Sequence, residues 1–194
     1  MNVEKKTKDN LNARKDLKLL CTRRELYLKD FNNGKFQMER GKYTLDTNQI
    51  KTVCEWTSNL KFLDGYASNI AKLVDMKRNI IKGMKSHDCR VFMQKLLPLA
   101  LRGLLPKSFV DVLTQVSRFF RSLCCSKFSM EDKKILEDNI PIILCKLKKI
   151  FPPGFFDSME HLMVQLPYET KVGGLVQYSG CIHLRGTCFS KSLK

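Results

Sequence analysis

Residues 106–125, "PKSFVDVLTQVSRFFRSLCC", decide the fold. Phe109, Val112, Leu113, Val116, Phe119, Phe120 and Leu123 recur at steps of three and four, the repeat of one helical face, while Arg118 and Arg121 fall off that stripe. Pro106 opens the segment, where a missing N–H does no harm. A stripe this continuous has to be covered by other elements, so the flanking segments are read for what could cover it.

On the C-terminal side, Ser129 followed by Asp132 resembles a capping box with Asp in the usual Glu position. Ile135, Leu136, Ile140, Ile143, Leu144, Leu147 and Ile150 supply the face of the helix that follows. Lys146, Lys148 and Lys149 fall in its last turns, where positive charge complements the helix dipole. "FPPGFF" (151–156) stops it, "DSMEHLMVQLP" (157–167) reads as a shorter helix capped by Asp157 or Ser158, and "YETKVGGLVQY" (168–178) as an extended segment.

On the N-terminal side, "GMKSHDCRVFMQKLLPLALRGLLP" (83–106) places Val91, Phe92, Leu96, Leu97, Leu99 and Ala100 almost all round a helix, as for an element surrounded by neighbours. Pro98 should kink or split it. Asp88 suits the first turn, where a carboxylate meets unpaired backbone amides. Upstream, Ile50, Val53, Cys54 and Trp56 allow an amphipathic helix over 48–60, ended by "LDGYASN". Residues 1–47 are polar and weakly periodic, with turn signals at 32–34 and 40–41, and read as an arm holding at most a hairpin around "FQMERGKYTL" (36–45).

The expected fold is therefore mainly α: an irregular helical bundle over 48–178, with a basic, poorly structured N-terminal arm (1–47) and a disordered C-terminal tail (179–194). Phe109, Val116, Phe120, Leu136, Leu144 and Leu147 should be buried in it.

The formal net charge is +16, unevenly spread: residues 1–105 carry 22 Lys and Arg against 11 Asp and Glu, and residues 106–178 carry 10 against 8. Such an excess favours a nucleic acid, an anionic membrane or an acidic partner, or simply a solvated surface. The charged opening "MNVEKKTKDNLNARKDLK" lacks a secretory pattern, and no apolar run reaches the roughly 18 residues needed to span a bilayer. An intracellular, soluble protein with free thiols is expected. Cys54, Cys124 and Cys145 lie in apolar patterns and read as small core residues, whereas Cys181, His183 and Cys188 lack a fourth zinc ligand.

No phosphate-binding glycine loop, dinucleotide fingerprint or paired-histidine zinc motif is present in the sequence. His87 and Cys89, two residues apart, would point in different directions on a helix, which is poor geometry for a nucleophile and its base. We expect no catalytic residue, no cofactor, no metal, no small-molecule substrate and no membrane contact.

Three stretches, "LKFLDGYASNIAKLVD" (60–75), "KGMKSHDCRVFMQKLLPLALRGLLP" (82–106) and "ILCKLKKIFPPGFFDSMEHLMVQLPYETKVGGLVQY" (143–178), resemble in order and spacing a domain of unknown function that follows the transposase domain in plant CACTA (En/Spm) transposons. "KDNLNARKDL" (8–17) is similar to the family's linking segment. The resemblance makes His87 and Asp88 a family signature at a helix start, although relatives often carry histidine at the place of Arg90. It also implies that the metal-binding carboxylates of the transposase lie upstream, in a domain not represented here, so the chain is expected to be non-catalytic. Two-metal phosphoryl transfer needs several converging carboxylates.

Weak DNA binding is expected through the arm, with Arg14, Lys15, Lys18, Arg23 and Arg24 as phosphate contacts. Assembly with an intact transposase through apolar helix faces is the alternative, and a nuclear location follows from either. The resemblance stops after Tyr178, where relatives continue with a stretch close to RWMHPFERYL. Codons for Ser179–Cys188 exist that read as that stretch when one base is inserted, so the tail "SGCIHLRGTCFSKSLK" is expected to be out of frame and the copy truncated.

Overall fold

The stripe over 106–125 does become the central helix. In the computed structural model, which describes residues 11–20, 24–31, 35–38, 40–61, 69–125, 129–151 and 163–168, α5 (Lys107–Leu123) buries all seven stripe residues. Pro106 is extended and stands just before the first helical turn. Full burial of each large apolar side chain is worth roughly 1.5–3 kcal/mol. The Phe119 and Phe120 rings meet edge to face at 5.3 Å between centroids.

The elements run α1 (Leu11–Leu20), a 3-10 turn (Arg24–Leu26), β1 (Lys29–Phe31), β2 (Lys35–Gln37), α2 (Thr47–Ser58), a 3-10 turn (Ile70–Leu73), β3 (Val74–Asp75), β4 (Ile80–Ile81), α3 (Ser86–Val91), a π-helical segment (Phe92–Leu96), α4 (Leu97–Ala100), α5 and α6 (Met130–Ile150). Residues 163–168 are helical, and Met163 joins the core. The fold is mainly α, with two small antiparallel hairpins among the described residues. α5 packs on α6, on α4 and on the π segment, and the core runs from Leu45 and Val53 through these helices to Phe151.

α6 starts as the sequence indicates: Ser129 Oγ accepts from Asp132 N–H (3.0 Å) and Asp132 Oδ2 accepts from Ser129 N–H (3.1 Å). Its buried residues are Ile140, Ile143 and Leu147, with Leu136 and Leu144 half-buried. Ile135 is 56% exposed, because it lies about 100° around the helix from Leu136 and off the contact stripe. Cys145, expected in the core, is exposed for the same reason, while Cys54 is buried and Cys124 half-buried. Leu99 likewise points outward at 58% exposure, so the segment around Pro98 is not covered on every side.

α2 is capped by Asp46, whose Oδ1 accepts from Gln49 N–H (2.7 Å), while Gln49 Oε1 accepts from Asp46 N–H (2.9 Å). The amide of the same Gln49 donates to the Leu104 carbonyl (2.8 Å), tying the cap to the loop after α4.

Pro98 neither breaks the chain nor simply kinks it. It has no N–H for the carbonyl of Gln94 four residues back, nor for Met93 five residues back at the π spacing. Both carbonyls face α5 in half-buried positions, and α5 supplies donors to them. Ser117 Oγ donates to Met93 O (2.8 Å) and Arg121 Nη2 to Gln94 O (2.9 Å). Gln94 Nε2 completes the cross-link by donating to Phe120 O (3.1 Å). Ser117 and Arg121 are one turn apart, so they meet carbonyls of adjacent residues.

The N-terminal segment is more closely bound than an arm. Its hairpin pairs Lys29 with Gln37 and Phe31 with Lys35, and so is formed upstream of the turn signal at 40–41 around which a hairpin was expected. Arg14 on α1 is 1% exposed and donates to Leu26 O (2.8 Å) and to Tyr43 Oη (3.3 Å). Tyr43 in turn packs on Phe151 at the end of α6 (5.5 Å), which packs on Phe109 of α5 (6.4 Å). Gly41 leaves room for the Tyr43 ring, since a Cβ there would run into it. The expected caps Asp157 and Ser158, most of the extended stretch 168–178 and the whole tail with Cys181, His183 and Cys188 lie outside the described residues.

Candidate functional site

The His87–Asp88–Cys89 triplet opens α3. Asp88 is 1% exposed, and its Oδ2 accepts from the Lys85 N–H (2.9 Å), closing the first turn as a carboxylate in that position should. His87 faces solvent, and Arg90 Nη2 donates to its Nδ1 (3.1 Å), one turn on. Asp88 and His87, about 100° apart on the helix, thus have different partners: one builds the helix start, the other pairs with Arg90 one turn on.

Burial pushes the Cys89 thiol above its ordinary value, and the Asp88 carboxylate raises it further, against a smaller opposing contribution from a backbone hydrogen bond. A thiol raised in this way carries little thiolate near neutrality and is a poor nucleophile. Burial raises the Cys54 thiol as well. Among the described residues no group of three or more His, Cys, Asp and Glu side chains could hold a metal ion, and no helix is long and apolar enough to cross a membrane.

The five arginines and lysines expected to meet phosphate are not equivalent. Arg14 is removed from that set: its guanidinium is buried between Leu26 and Tyr43 and fastens α1 to the body of the molecule. Lys15 and Lys18 are exposed on α1, with the Lys15 ammonium 4.8 Å from the Phe36 ring centre, and Arg24 is exposed in the next turn. Arg23 lies outside the described residues. Lys15, Lys18 and Arg24 thus remain as exposed cations on a segment that Arg14 holds in place.

A second basic element went unread in the sequence. The segment 69–91 carries Lys72, Lys77, Arg78, Lys82, Lys85 and Arg90 against Asp75 and Asp88, and its centre is the β3–β4 hairpin. The signal was the string "LVDMKRNII" (73–81): an apolar pair on each side of a mostly polar turn, with Asp at the first turn position and Asn at the last.

One family model matches the chain: the domain of unknown function DUF4218, over residues 123–187, a domain known in transposase-like plant proteins. The matched span takes in α6 and runs past Tyr178, where the motif resemblance stops. Neither a curated protein nor a solved structure matches.

Proposed function

We propose that this chain is a non-catalytic fragment of a plant CACTA transposon protein that binds DNA weakly, in the nucleus, through the exposed cations of its N-terminal segment. The observation that carries the reading is the DUF4218 match over 123–187, together with the order of the three motifs between 60 and 178. The DNA contact is supported by Lys15, Lys18 and Arg24, exposed on a segment that the buried Arg14 anchors. An anchored cation loses less freedom on meeting a phosphate than one on a loose chain.

The test is a salt titration of binding to a duplex of arbitrary sequence. These three contacts contribute about −2.7 to the log–log slope. Lys15→Gln, Lys18→Gln and Arg24→Gln together should remove that contribution and leave the thermal midpoint unchanged. Deleting residues 1–30 would be the wrong test, because it also removes Arg14 and its bond to Tyr43. A wild-type slope near zero would refute the DNA reading.

The truncation is the finer part of the proposal. It rests on the neighbouring-frame reading of residues 179–188, and the family match extending to residue 187 weighs against it. Sequencing the locus and transcript decides it: codons that give no RWMHPFERYL-like text in the adjacent frame refute the frameshift.

Assembly with an intact transposase is a second reading. α5 presents polar residues such as Lys107, Asp111, Arg118 and Arg121 to solvent, so its apolar stripe is not the contact face. Exposed Ile135 and Ile142, two turns apart on α6, favour that reading instead. Co-purification with a full-length transposase, lost in Ile135→Glu/Ile142→Glu, would support it.

A further inference from the structure

The β3–β4 hairpin is a built element. Val74 pairs with Ile81 and Asp75 with Ile80, and the ladder extends through Lys82 N–H to Leu73 O (3.0 Å). The Asp75 carboxylate shapes the turn: its Oδ1 accepts from Lys77 N–H (3.1 Å) and Arg78 N–H (3.2 Å). Asn79 takes the left-handed conformation that closes the turn (φ 50°), and Gly83 (φ 75°) carries the chain away toward α3. The apolar sides of Ile81 and Met84 pack on the core and both strands lie against α2, so the ribbon stands on a fixed base.

Its charge is one-sided. Lys72, Lys77, Arg78, Lys82 and Lys85 are exposed. Of the two acids in the segment, Asp88 is buried at the α3 start, and Asp75 is engaged by the turn amides and reaches only the Arg78 Nε, at 4.0 Å. Lys72, Lys77, Lys82 and Lys85 have no ion-pair partner among the described residues. Lys77 and Arg78 occupy the tip, and Lys72 and Lys82 flank the base. Cations therefore stand at both ends of the ribbon, while its one acid, Asp75, is held by the turn amides, and such a one-signed surface attracts a run of phosphates.

We propose that this hairpin is a second phosphate-contacting surface, and that its partner is the sugar–phosphate backbone of duplex DNA. The inference rests on the DNA-binding reading and adds a surface to it. A lipid surface fits less well: of the large apolar side chains on the hairpin only Met76 is exposed, at 39%, and a membrane-seated element needs an apolar face to bury.

The test compares the full chain with Lys72→Gln/Lys77→Gln/Lys82→Gln and, separately, Lys15→Gln/Lys18→Gln/Arg24→Gln. The readout is anisotropy of a labelled 25-base-pair duplex across 50–200 mM salt, beside vesicles of phosphatidylcholine with phosphatidylserine. The hairpin variant should lose about 2.7 from the magnitude of the log–log slope, so that its affinity falls about 40-fold less than the wild type's between 50 and 200 mM salt. Its circular dichroism and melting midpoint should match the wild type, because all three lysines are exposed. Wild-type binding that the hairpin variant retains in full, while the N-terminal variant loses it, overturns the hairpin and leaves the DNA reading standing. No salt-dependent binding by the wild type overturns both. Vesicle binding lost in the hairpin variant with duplex binding intact assigns the surface to lipid and overturns the proposal.

Discussion

Among single residues, Asp88 and His87 are neighbours with different duties. Removing the buried Asp88 carboxylate leaves a half-buried Lys85 N–H without its acceptor at the start of α3, so Asp88→Ala should lower stability by about 1–3 kcal/mol. His87→Ala, at an exposed position, should stay within about 0.5 kcal/mol; urea melts of the two variants check both values, and equal losses would disprove this division. Cys89 reports on the same carboxylate. Its thiol sits above its ordinary value, first through burial and then through Asp88, so Asp88→Asn should lower it and speed alkylation by iodoacetamide at a fixed mildly alkaline pH. Unchanged or slower alkylation would show that the carboxylate does not act on the thiol. Asp88 as a helix-start residue was legible from its place before an apolar run. The burial of Arg14 was not: an arginine in a polar segment reads as solvated, and its acceptors lie 12 and 29 residues further along the chain.

For whole elements, legibility follows length. α5 and α6 are long enough for the apolar repeat to show several times, and both were read from the sequence with their starts. β3 and β4 are two residues each, too short for any alternation, and only the turn chemistry of Asp75 and Asn79 marks them. Cations that could meet phosphate are therefore legible on α1 and not on the hairpin. The π segment was legible as a disturbance at Pro98, but its repair by Ser117 and Arg121 was not, since the donors come from the next helix. The repair predicts a coupling. Arg121→Ala should cost about 1–3 kcal/mol, although much of the side chain is exposed, because it takes this donor from the half-buried Gln94 carbonyl. In a Pro98→Ala background that carbonyl regains a backbone donor, so the same Arg121→Ala change should cost clearly less. A double-mutant cycle with zero coupling would show that the guanidinium does not substitute for the proline's missing N–H.

The molecule as a whole is organised outward from α5. Phe120 is 2% exposed, meets Phe119 edge to face and lies one turn from both Val116 and Cys124, so Phe120→Ala should cost roughly 3–5 kcal/mol in a urea melt. An unchanged midpoint would mean that α5 is not the packing centre. The Tyr43, Phe151 and Phe109 rings join the N-terminal segment to this centre, so the cations of α1 and of the β3–β4 hairpin are carried by one body. The arrangement at Pro98 also constrains the order in which its residues can change. Serine at 117 and arginine at 121 can exist on α5 beside an unbroken neighbouring helix at little cost, whereas proline at 98 without them leaves two half-buried carbonyls without these donors. The substitutions can therefore accumulate in one order far more readily than in the other: the donors first, the proline afterwards. Once all three are present, the proline is the one that can be exchanged freely, while either donor has become hard to lose.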